Sequence, residues 1–109
     1  MRILLHSLLI AAATLGAAGS VCAQAVGDPA VGHQLAQKWC SNCHAVEPME
    51  KERTTDAAPS FSAVAHTPST TAMALRAFLQ TSHGRMPDFR LSRDQIDDVV
   101  AYILSLRGG

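Results

Sequence analysis

The sequence has no excess of charge. Its 109 residues carry nine lysines and arginines against nine aspartates and glutamates, with no basic stripe for nucleic acid and no acidic tail. It also lacks a phosphate-binding glycine loop and a nucleophile elbow, so neither nucleotide binding nor hydrolysis by a serine elbow is indicated. Alternating β-branched runs are almost missing beyond residue 25, and no convincing strand can be placed. Thiols are scarce too: the cysteines are Cys22, Cys40 and Cys43.

The one long apolar run lies at the start. Arg2 is followed by Leu- and Ile-rich sequence, then by Ala- and Gly-rich sequence. The small-residue patterns Val21-Cys22-Ala23 and Ala23-Gln24-Ala25 close it. That order is expected of a secretory signal over residues 1–25, cut after Ala23 or Ala25, with a single domain over 26–109. An uncleaved anchor fits less well. Residues 3–19 give only 17 positions, at the lower limit for a span, and His6, Ser7, Thr14 and two glycines interrupt them. Lipidation of Cys22 is a third reading, for which Gly19-Ser20-Val21 is a poor preceding sequence. Association with a membrane is expected only if the signal stays uncleaved or Cys22 is lipidated.

Cutting after Ala23 or Ala25 leaves 86 or 84 residues, a size at which burial alone is marginal and a staple is expected. A disulfide between Cys40 and Cys43 closes too small a loop to constrain the unfolded chain much. A large buried cofactor would serve instead.

Three main helices can be placed. Asp28 as N-cap with Pro29 at the first helical position starts one, with Val31, Leu35 and Trp39 on one face. A second is expected over residues 69–80, with Ser69 as cap and Ala72, Leu75, Phe78 and Leu79 as its apolar side. The last starts at a capping box, Ser92 with Gln95, and carries Ile96, Val99, Val100, Ile103 and Leu104. Asp94, Asp97 and Asp98 fall in and near its first turn, where acids favour the macrodipole. The polar stretch 47–56 reads as a solvated loop without chemistry. A short helical turn is expected over 60–65, and a loop over 83–88.

The chemistry is concentrated in Trp39-Cys40-Ser41-Asn42-Cys43-His44, which contains C-x-x-C-H, the haem c attachment signature. Two thiols three positions apart can reach both vinyl groups on one side of a porphyrin and form thioethers. His44 is then directed beneath the iron as proximal ligand. Two other readings compete. W-C-x-x-C also matches a thiol-disulfide oxidoreductase, but that fold needs a strand leading into the motif, and here the leading segment is a capped helix. A zinc site would need Cys40, Cys43 and His44 with a lone His66 or His83 as fourth ligand.

With the helix order added, the sequence resembles the class I c-type cytochromes, specifically the small mono-haem bacterial kind. The resemblance runs from about Gly32 to Leu106. It implies an all-α fold, a cytochrome c-like bundle of three main helices around one covalently bound haem c. In that family a glycine ahead of C-x-x-C-H packs against an aromatic on the C-terminal helix, and Gly32 and Tyr102 stand in those places. Ala36 departs from the pattern, which often has an aromatic there, and Trp39 is a candidate to fill part of that space.

Met86 is the expected sixth ligand. It lies on a loop with Pro87 after it, and the family's distal methionine commonly precedes a proline ahead of the C-terminal helix. Met49 follows His44 too closely to reach the other haem face. Met73 reads as core filler, and His83 would give a bis-histidine haem. The resemblance also implies that the carbonyl of Pro59 accepts the other ring N–H of His44, while Arg85 is a weaker candidate for a propionate. The function implied is a periplasmic single-electron carrier with His/Met-ligated iron and no enzyme activity of its own. Its donor would be a dehydrogenase or quinol-oxidising complex and its acceptor a terminal oxidase or reductase. The alternative is a dedicated haem c subunit of a periplasmic dehydrogenase complex.

Overall fold

The structure is a computed structural model and describes residues 26–50, 58–82 and 84–108. The expected signal with Cys22, most of the polar stretch and His83 lie outside the described residues. Four α-helices follow in order, α1 (Pro29–Trp39), α2 (Phe61–His66), α3 (Ala72–Leu79) and α4 (Arg93–Ser105). A short 3-10 helix, Leu106–Gly108, follows α4, and there is no strand among the described residues. Among those residues, no helix is long and apolar enough to cross a membrane.

The helix starts follow local chemistry. Asp28 accepts from the N–H groups of Ala30 and Val31 at 2.8 and 3.3 Å, satisfying donors that the first turn leaves unpaired. Its own N–H donates to Asp98 at 2.7 Å, so one residue starts α1 and ties it to α4. At α4, Ser92 and Gln95 close a reciprocal capping box. Ser60 caps α2 by accepting from Ala63 N–H at 3.1 Å. The cap of α3 is Thr71 and not Ser69. Thr71 accepts from Ala74 N–H at 3.0 Å, while a turn closed by Thr70 N–H on the Thr67 carbonyl takes up Ser69.

α4 is the hub. Ile96, Val99, Val100, Ala101, Tyr102 and Ile103 are all buried on it, more of its circumference than a two-layer helix buries. α1 meets it through small residues. Gly32 and Ala36 are buried, whereas Val31, on the expected apolar face, is 41% exposed. The buried face is set by close approach and not by the largest side chains. A Cβ at Gly32 would overlap the carbonyl of Asp98 and lie 2.9 Å from Tyr102 Cβ.

The acids of α4 have separate tasks. Only Asp94 lies in the first turn; Asp97 pairs with Arg76 of α3, and Asp98 holds the start of α1. At the other end, Arg107 donates to the carbonyls of Ala65 (2.7 Å) and Thr70, strapping the α2–α3 connection to the C-terminus. Each of α1, α2 and α3 packs on α4, yet among the described residues their backbones do not approach one another.

Candidate functional site

The six residues from Trp39 to His44 close α1. Cys40 N–H and Ser41 N–H both bond to the Ala36 carbonyl, at 2.8 and 3.1 Å. Cys43 N–H and His44 N–H both return to the Cys40 carbonyl, at 3.1 and 2.9 Å. Cys40 and Cys43 therefore belong to one tight turn, with His44 immediately beyond it. The described cysteines are free, Cys40 half-buried and Cys43 exposed.

His44 is oriented by the chain itself. Its Nδ1 lies 2.7 Å from the carbonyl of Pro59. A carbonyl can only accept, so Nδ1 carries a proton, and in the neutral ring Nε2 then presents its lone pair. The ring rests at 56° to Phe61, with centroids 5.4 Å apart. Phe61 is placed in turn by its N–H, which donates to the Ala45 carbonyl at 2.9 Å. Phe61 stands 6.3 Å from Tyr102, whose hydroxyl donates to the Val46 carbonyl at 2.6 Å. The segment after the motif is thus pinned to α4, and His44 with it.

A second set of contacts pins the same segment to α1. The ring of His33 packs 4.8 Å from Tyr102 and its Nε2 donates to Glu47 at 2.8 Å; Gln37 donates to Glu47 at 2.9 Å. These donors hold the Glu47 carboxyl below its ordinary range, His33 contributing most. Glu50 accepts from Val46 N–H at 2.9 Å. The described part of the polar stretch is therefore folded back and not simply solvated. Its periodicity carries no signal of the Glu47 contacts, because His33 and Gln37 lie 14 and 10 residues away in sequence.

Met86 is half-buried on the loop before α4. Three residues on, Phe89 stacks against Trp39 with centroids 6.1 Å apart and planes at 12°. Arg85 is exposed.

The donor set fits a haem. A histidine with a free Nε2 follows two thiols on one turn, and the apolar side chains of Leu35, Val64, Leu79 and Leu91 remain only partly covered. Phe78 and Phe89 are 48% and 43% exposed. Other uses of the thiols fit less well. Burial pushes the Cys40 thiol up to about 11, the opposite of what an exchanging thiolate needs. Among the described residues no cluster of three His, Cys, Asp or Glu is placed to hold a metal ion, so Cys40, Cys43, His44 and His66 do not form a zinc site. His66 instead bonds the Ser62 carbonyl at 2.8 Å.

Comparison with known proteins agrees with this geometry. Residues 27–103 match the family model described as cytochrome c oxidase, cbb3-type, subunit III. The chain is 39% identical over 93 residues to a protein named cytochrome c-552 from Bradyrhizobium diazoefficiens, covering 85% of this chain and 88% of that one. No solved structure gives a significant match. The chain belongs to the small class I c-type cytochromes, electron carriers that use haem c and act on redox protein partners.

Proposed function

We propose that this chain is a periplasmic mono-haem carrier, its haem bonded to Cys40 and Cys43 and its iron held between His44 and Met86. The observation that carries this reading is the His44–Pro59 hydrogen bond of 2.7 Å. It fixes the ring tautomer and orientation, leaving Nε2 available as a ligand. Cys40, Cys43, His44 and Met86 are the residues that would hold a haem, which would supply a one-electron ferric/ferrous couple.

The chain's own residues set the conditions for that couple. Pro59 holds His44. The turn from Cys40 to Cys43 would fix where two thioethers can form, and the buried Phe61 packs beside the His44 ring. Met86 would contribute a thioether, which would favour the ferrous form and raise the potential relative to two nitrogen ligands. Members of this family are typically exported, and the Leu- and Ala-rich start of the chain suits a Sec-type signal. Donors of the dehydrogenase or quinol-oxidising class and acceptors of the oxidase or reductase class suit such a carrier. The near-balance of charge favours brief docking with weak electrostatic steering.

Met86→Ala tests the ligand set. Haem content should stay the same while the reduction potential drops markedly and the far-red thioether-to-ferric band disappears. An unchanged potential and band would show that another residue fills the sixth position. A second reading is a dedicated haem c subunit of a periplasmic dehydrogenase complex; the matched family's description as an oxidase subunit supports membership of a redox complex in general. Size exclusion of native extract separates the two: a carrier elutes at its own mass, a subunit with its complex.

A further inference from the structure

The stack of Trp39 on Phe89 joins two parts of the site that the chain keeps far apart. Trp39 is the last residue of α1 and precedes Cys40; Phe89 follows Met86 by three residues. The rings are nearly parallel, 12° apart at a centroid distance of 6.1 Å, within the range of an attractive offset stack. Core burial does not account for the pair, since Phe89 is 43% exposed and Trp39 is half-buried. Lys38 adds to the same ring, its Nζ lying 5.7 Å from the Trp39 centroid.

The backbone beside Phe89 is bent at a cost. Arg90 has φ 49°, the one non-glycine residue with positive φ among those described. An arginine there is disfavoured and persists only where its surroundings hold it. Two things do so. The Arg90 N–H donates to the Asp88 carboxylate at 2.9 Å, closing a local turn. On either side, Phe89 stacks on Trp39 while Leu91 packs onto the core. The kink lets adjacent parts of the loop serve two anchors, one at the haem-motif end of α1 and one beneath α4.

We propose that Trp39 and Phe89 form a clasp that holds the Met86 segment against the Cys40 end of α1, with Phe89 a positioning residue for Met86. This rests on the reading of Met86 as sixth ligand. A thioether is a weak ligand, so its occupancy depends on how firmly its loop is held. An aromatic pair of this kind changes an equilibrium by about two- to tenfold. Removing it should raise the fraction of ferric protein with Met86 off the iron by that factor.

Imidazole added to the ferric holoprotein reads that fraction, because it binds only where the sixth position is vacated and its apparent Kd scales inversely with the open fraction. Phe89→Ala should bind imidazole about two- to tenfold more tightly than wild type, with haem content unchanged, and Phe89→Tyr should restore the wild-type value. Trp39→Ala should match Phe89→Ala, and the double variant should add little, the non-additivity expected of one shared contact. Arg90→Gly, which relieves the left-handed backbone and keeps Phe89, should bind imidazole no more tightly than wild type. Met86→Ala separates two failures. If it binds imidazole no better than wild type, the ligand reading is wrong. If it binds far better while Phe89→Ala and Trp39→Ala stay at wild type, the clasp alone is refuted.

Discussion

Gly32→Ala is the substitution on which the packing of α1 against α4 depends most. In an isolated helix the change would stabilise by about 1 kcal/mol, because glycine has more backbone freedom to lose. Here the added Cβ would overlap the Asp98 carbonyl, which is backbone, and approach Tyr102 Cβ to 2.9 Å. No rotamer change relieves a clash with backbone, so the two helices must separate. Overpacking of this kind costs about 3 kcal/mol at the upper end of its usual range. Set against the propensity gain, the net loss is about 2 kcal/mol. For a domain of this size that is about 8–16 °C in Tm. Denaturant and thermal unfolding of the holoprotein, followed by far-ultraviolet circular dichroism, would measure it. The spread of α1 from α4 should also loosen Asp28 from Asp98, so amide exchange at the start of α1 should rise. A variant as stable as the parent, or more so, would refute the close-approach argument.

Other consequences follow from the segment after the motif. Tyr102→Phe leaves the buried Val46 carbonyl without the hydroxyl that donates to it at 2.6 Å, and should cost about 1–3 kcal/mol in denaturant unfolding. Burial, with lesser help from Glu47 and Glu50, raises the Tyr102 pKa above its ordinary value. The folded state therefore keeps a proton that the unfolded state releases, and stability should fall as pH rises past the ordinary tyrosine range. Tyr102→Phe should remove that alkaline decline. Glu47 has the opposite sign: its carboxyl is held low by His33 and Gln37. Its contribution is present above the ordinary glutamate pKa and is lost as pH falls through the lowered one, so Glu47→Gln should flatten the acid limb of the stability curve.

What was legible in the sequence was what local chemistry decides. The Asp28-Pro29 start, the Ser92/Gln95 box and the Ile96–Ile103 stripe all stand where spacing places them. So does the Gly32–Tyr102 approach that the family resemblance implied. Thr71 displaced Ser69 as a cap because two hydroxyls compete and the turn from Thr67 to Thr70 decides between them. On α1 periodicity points to the large residues, while Gly32 and Ala36 are the ones buried, by letting backbones meet. The Glu47, Phe89 and Arg107 contacts join loops to distant elements. No local pattern announces such pairs.

The central claim is covalent haem on Cys40 and Cys43, and the most direct test is the reduced pyridine spectrum of the protein matured with the c-type machinery. The account predicts a haemochrome typical of two saturated vinyl groups, surviving acid-acetone extraction, with neither thiol alkylated after reduction and unfolding. A colourless chain with two alkylatable thiols, or haem lost on extraction, would contradict it.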